Sequence, residues 1–177
     1  MGDVTAHFDY REFTCKCGCS TNRMDRKFIE KMETIFDYLS KTADGVSVII
    51  INSGYRCTKS SNSSPGAFVG DTHNLGFGAD FHAVKADGET PWSSYALAAV
   101  CEHLGFTGIG IITDIDVHAD TRTINNYPNG HWFGNEMTGN DNIKSFLEYL
   151  PPIKVTAAEK HKITVFYDGK LLYECEV

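Results

Sequence analysis

Residues 46–51 read Val-Ser-Val-Ile-Ile-Ile, and this run constrains the chain more than any other. β-Branched side chains are stiff at χ1, crowd a helix and sit well on a pleated surface. A run of this length and composition predicts a buried strand. The preceding segment has the other period. Over 24–40, Phe28, Met32, Ile35, Phe36 and Leu39 recur at steps of three and four. That spacing predicts a helix with one apolar face. Asn22 is the expected N-cap, and Asp25 suits the first turn. The first third of the chain is therefore a helix that must pack on a sheet.

The remaining elements follow from the same signals. Residues 58–72, rich in Ser, Gly and Thr and containing Pro65, are expected to form a long loop. Residues 79–84 alternate as a strand does. A helix is expected over 93–104, opened by Ser93 or Ser94 and closed by Gly105. Short strands are expected at 108–112 and within 116–122. A third helix fits 141–150, stopped by Pro151-Pro152. Residues 162–177 read as a hairpin turning through a type I′ turn at Asp168-Gly169. No internal repeat stands out. Up to residue 122 the order is helix, strand, strand, helix, strand, strand, which predicts an α+β fold: a small antiparallel sheet flanked by helices. The length of 177 residues suits one domain over 1–150, with 151–177 as an appended hairpin.

Charge narrows the partners. A formal net charge of −7 argues against nucleic acid, which demands clustered Lys and Arg, and against contact with an anionic membrane surface. No stretch approaches the roughly 20 apolar residues of a membrane span. The first residues, Met-Gly-Asp-Val-Thr-Ala-His, lack the basic and apolar regions of a secretory signal. A monomer is expected.

The six cysteines admit three readings. Cys15, Cys17 and Cys19 cluster as Cys-x-Cys-Gly-Cys, while Cys57, Cys101 and Cys175 are scattered. They can be small buried apolar thiols, or the cluster can form a disulfide with Cys57. A second, structural metal ranks last, because the paired Cys-x-x-Cys knuckles of zinc ribbons are missing.

The chemistry-bearing residues lie in the middle of the chain. His73 and Asp80 are seven apart, joined by a glycine-containing turn, and both side-chain types suit zinc. His118 falls on a later strand, and Asp120, two residues on, shares its face. Three protein ligands with one open position is the pattern of a catalytic zinc.

The segments SGYRC (53–57), HNLGFGAD (73–80), GFTGIG (105–110) and VHADTR (117–122), with EFTCKCGC (12–19) before them, resemble the zinc D-Ala-D-Ala carboxypeptidase family. The branch they are most similar to holds carboxypeptidase-like domains and phage endolysins, and its zinc-site fold is shared with the hedgehog signalling domain. The resemblance covers residues 8–135. It implies a zinc peptidase acting on the stem peptides of bacterial peptidoglycan, with His73, Asp80 and His118 as zinc ligands. Arg56 would pair a substrate carboxylate or polarise the scissile carbonyl, with Ser53 and Tyr55 lining or supporting that wall. The general base is expected near the third ligand. Asp120 is the first choice, with Asp114 and Asp116 as alternatives; Asp120 could instead orient a ligand imidazole or be a ligand itself. Where the branch closes with Arg-Trp, His131-Trp132 stands here, and His131 is expected to reach substrate. His82, on the face of Asp80, is expected near the metal. A non-catalytic zinc-containing module for cell wall, or a phage structural component, is the rival reading.

Overall fold

The computed structural model describes residues 2–64, 66–127, 130–141 and 143–154, together with the backbone of strands at 162–167 and 170–176. A 3-10 turn, Tyr10–Phe13, precedes helix α1, Arg26–Ser40. Strand β1 is Val48–Ser53, followed by helices α2, Thr58–Ser63, and α3, Thr72–Leu75. Then come β2, Gly78–Val84; α4, Ser94–His103; β3, Gly108–Ile111; β4, Val117–Asp120; and β5, Trp132–Asn135. The sheet order is β1-β2-β4-β3-β5, antiparallel except for the β3–β5 pair. This is the expected α+β architecture. Strands β6, Lys162–Tyr167, and β7, Lys170–Glu176, pair as an antiparallel hairpin. The type I′ turn expected at 168–169 lies outside the described residues.

Strand alternation divides the sheet into two faces. Ile49, Ile51, Ala79, Phe81, Ala83, Ile109, Ile111, Val117 and Ala119 are buried and form one core with Phe28, Met32, Ile35 and Leu39 of α1 and Leu97, Ala98 and Cys101 of α4. The opposite face carries Asp80, His82, His118 and Asp120. The β-branched run is thus an edge strand with one face outward: Val48 and Ile50 are 42% and 41% exposed.

Other boundaries shift for local reasons. Asp25, not Asn22, caps α1: its carboxylate accepts from Lys27 N–H, while the Asn22 amide donates to Tyr10 O. The expected loop at 58–72 contains α2 and the start of α3. Of the helix expected at 141–150, the described residues form only the 3-10 turn Leu147–Tyr149. One aromatic anchors this stretch: Phe146 is fully buried, and its N–H donates to Glu102. Gly139, Asn140 and Asp141 are weak helix formers and do not extend the turn.

Candidate metal centre

Sheet register brings two of the three expected ligands together. Asp80 on β2 lies directly opposite His118 on β4, and Ser53 on β1 flanks Asp80 on its other side. His73 arrives from α3. Asp71 caps this one-turn helix by accepting from Asn74 N–H. Gly76 ends it in the left-handed region, at φ 86°, which only glycine adopts without strain. The chain can then double back, so that seven residues separate two side chains that meet.

His73 Nε2 lies 3.2 Å from Asp80 Oδ1 and 3.2 Å from His118 Nδ1, and His118 Nδ1 lies 2.9 Å from Asp80 Oδ1. The outer ring nitrogens have fixed partners. His73 Nδ1 donates to Gly54 O at 2.8 Å, and His118 Nε2 donates to Asp120 Oδ2 at 3.1 Å, since a carbonyl and a carboxylate can only accept. In the neutral rings the inner nitrogens therefore carry lone pairs. Two imidazole lone pairs and a carboxylate oxygen at such separations repel unless a cation, proton or metal, lies among them. The residues thus fit a single N,N,O-bound divalent ion.

Electrostatics agree. Burial alone would lower the His118 pKa, but Asp120 and Asp80 outweigh it and push it up to about 9. Burial would likewise raise the carboxyls of Asp80 and Asp120. For Asp80 the charges and hydrogen bonds of His73 and His118 dominate instead, and for Asp120 those of His118 and Arg122. Both carboxyls are held well below the usual range.

The cluster lies at the floor of an open cleft of about 530 Å³. Arg56 stands on its wall, with Nη2 2.5 Å from Asp80 Oδ2 and Nε donating to Ser53 Oγ at 3.0 Å. Its backbone is clamped to α3: Arg56 N–H donates to His73 O, and Asn74 Nδ2 to Arg56 O. Phe68, Trp132 and Glu136 also line the cleft.

Several sequence expectations are redrawn. Asp120 is not in the cleft: it is fully buried behind His118, with Nε and Nη2 of Arg122 on its carboxylate. It orients the imidazole and cannot receive a proton from water in front of the cluster. Asp116 and Asp114 do not line the cleft either; Asp116 accepts from Asn52 Nδ2 and pairs with His82 Nδ1 at 3.1 Å. That pairing holds His82 away from the cluster. Ser53 and Tyr55 support the wall rather than face the cleft: Tyr55 is buried, and its N–H donates to Phe13 O. His131 is exposed and stacks on Phe133, while its neighbour Trp132 takes the cleft position.

Two features escaped sequence reasoning. Glu136 follows β5 in the stretch Asn-Glu-Met-Thr-Gly, which carries no motif. The glycines of β3 are the other. A Cβ on Gly108 would collide with the Asp120 carboxylate and Arg122 Nε, and one on Gly110 with the Trp132 ring. Gly-x-Gly on the site face is the signal that could have announced bulky partners packed across it.

An α+β domain that brings His73 from α3 to Asp80 and His118 on its sheet, all three lining an open cleft, has the donor set of a metal-dependent hydrolase. The chain belongs to the peptidase M15 family, whose sequence model matches residues 6–120, a stretch holding all three donors and Arg56. Peptidases of that family are zinc-dependent. No curated protein and no solved structure matches the chain.

Proposed function

We propose that this zinc peptidase hydrolyses peptide bonds in the stem peptides of bacterial peptidoglycan, as a D-Ala-D-Ala carboxypeptidase or an endopeptidase. The observation that carries the reading is the convergence of His73 Nε2, Asp80 Oδ1 and His118 Nδ1 beneath an open cleft with Arg56 on its wall. The resemblance of the SGYRC, HNLGFGAD, GFTGIG and VHADTR segments to the D-Ala-D-Ala carboxypeptidases supports the substrate class.

Zinc held by these three side chains supplies Lewis acidity and a water acidified to a pKa near 7. The remaining tasks fall to the chain. Asp120 and the Gly54 carbonyl hold the two imidazoles in the tautomers that point lone pairs inward. Arg56, braced by Ser53, presents its guanidinium to a substrate carboxylate or to the oxyanion of the scissile carbonyl. Of the carboxylates lining the cleft, Asp80 is in the cluster and Asp71 caps α3, which leaves Glu136 to accept the water's proton and return it to the leaving amine. Phe68 and Trp132 offer apolar walls for the peptide. Strands β6 and β7 are given no part in this chemistry.

The test is to incubate purified peptidoglycan with zinc-loaded protein and follow new amino groups. Release that stops on chelation and resumes with zinc is expected. Wall binding without release would make the protein a binding module instead. Cleavage of free dipeptides but not of wall would move it to another peptidase class.

A further inference from the structure

The four cysteines at the N-terminal end of the sheet region form a second donor cluster, separate from the first. Cys15, Cys17, Cys19 and Cys57 place their Sγ atoms within 4.8 Å of one another. Cys15 Sγ lies 3.4 Å from Cys17 Sγ, and Cys17 Sγ lies 3.5 Å from Cys57 Sγ, with no disulfide among them. A tetrahedral zinc with Zn–S bonds of about 2.3 Å spaces its sulfurs by about 3.8 Å. The observed arrangement therefore brackets a ZnS₄ site.

Such convergence is not what the local sequence does by default. In an extended chain alternate residues are separated by roughly 6.5–7 Å, so Cys15 and Cys19 would stand about 13 Å apart. The segment instead coils as successive turns, with Gly18 at φ 84° and Ser20 at φ 54°, both in the left-handed region. Ser20 has no glycine's freedom there, and strain of this kind persists where the surroundings enforce it. Cys57 arrives from the segment that follows β1, and its N–H donates to Cys15 Sγ at 3.4 Å, a contact that favours a thiolate. Lys16 Nζ donates to Ile51 O at 2.9 Å, tying the same turn to β1. Cys17 and Cys19 are exposed, so the reading of these thiols as small buried apolar side chains does not hold for them.

We propose that Cys15, Cys17, Cys19 and Cys57 bind a structural zinc ion. Four thiolates and no open position define a closed, non-catalytic site, and soft sulfur donors in a tetrahedron select zinc over harder divalent ions. Its place in the chain gives it a purpose. Cys57 directly follows Arg56, and the turn it joins leads back to Phe13, whose carbonyl accepts from Tyr55 N–H. A Cβ on Gly54 would meet the Phe13 backbone at 2.6 Å, so the two segments run in contact. The zinc staples the N-terminal segment to the stretch that carries Gly54 and Arg56, and so fixes one wall of the cleft from behind.

The test uses full-length protein purified under reducing conditions. Elemental analysis of the wild type is expected to give two zinc ions per chain, with one remaining in His73→Ala and one in Cys17→Ser/Cys19→Ser. Cobalt substitution reads the cysteine site alone, because only thiolate ligation gives an intense near-ultraviolet charge-transfer band. That band is expected in wild type and in His73→Ala, so it stands or falls independently of the peptidase reading. It needs no cysteine variant, and a Cys17→Ser/Cys19→Ser protein that failed to fold would leave the decision to it. Absence of the band in cobalt-loaded wild type, iron in place of zinc, or a mass two hydrogens short from a Cys17–Cys57 disulfide would each overturn the proposal.

Discussion

Asp120 Oδ2 sits 3.1 Å from Nε2 of His118, two residues back on the same strand face, and so turns Nδ1 of that ring toward Asp80 and His73. A carboxylate that reads as a proton acceptor in sequence is a tautomer lock in space. Arg122 completes the relay by holding both oxygens of Asp120. Asp120→Asn is expected to weaken zinc binding about 10–100-fold, the usual cost of losing a carboxylate that orients a ligand histidine. Competition with a chromophoric chelator measures it; unchanged affinity would remove Asp120 from the site.

Gly108 is expected to tolerate no side chain. A Cβ there runs into the Asp120 carboxylate and Arg122 Nε. Gly108→Ala should cost about 1–3 kcal/mol, as overpacking a filled site does, and should weaken zinc binding in parallel. Urea unfolding of metal-free protein gives the first quantity and chelator competition the second.

Arg56→Ala should leave zinc bound and lower kcat/KM on wall substrate about 10²–10³-fold, the range for loss of one donor to a developing oxyanion. Arg56→Lys should recover only part of this, because lysine cannot serve Asp80, Ser53 and substrate with one planar fork. Steady-state kinetics with matched zinc content decides.

Glu136→Gln should lower kcat by about 10²–10⁴-fold with zinc content unchanged, as removal of a general base does. Asp116→Asn should stay within a few-fold of wild type, because Asp116 faces Asn52 and His82. Equal losses in both variants would contradict the assignment of Glu136.

The His118 pKa of about 9 sets the pH dependence of the metal-free protein. The folded value lies above the ordinary 6.5, so pairing with Asp120 and Asp80 stabilises fully below pH 6.5 and is lost as pH rises through 9. Zinc needs the same Nδ1 lone pair. Displacing that one proton should make apparent zinc affinity rise about tenfold per pH unit between 6.5 and 9. Thermal melts of chelated protein and zinc titrations across this range check both signs. Affinity that stayed flat across the window would show that His118 carries no such proton.

The element order was legible because periodicity is local, whereas the set His73, Asp80 and His118 was legible through the resemblance of the HNLGFGAD and VHADTR segments to the zinc D-Ala-D-Ala carboxypeptidases. Periods of 3.6 and 2 mark α1, α4 and the strands, and a His and an Asp around a glycine turn carry their chemistry with them. Helix 141–150 failed because a single buried aromatic, Phe146, fastens that stretch by tertiary contact and leaves no periodic face to read. One wall of the cleft was legible, since Arg56 lies in the SGYRC segment, but Trp132 and Glu136 carry no motif of their own, and their place on the opposite lining is decided by the pairing of β5 with β3.

What the sequence determined by itself was an α+β chain with a sheet, two principal helices and three donors of the right kind for a metal. Tertiary structure alone decided what each polar group serves. Pairing β2 against β4 put Asp80 opposite His118, burial behind that ring took Asp120 out of contact with the cleft, and a turn at Gly18 packed against the segment after β1 gathered four thiols that the chain spreads over more than forty residues. The reason is physical: a side chain's chemical type is written in its residue, but its proton, partner and exposure depend on neighbours that only folding brings within about 3–4 Å.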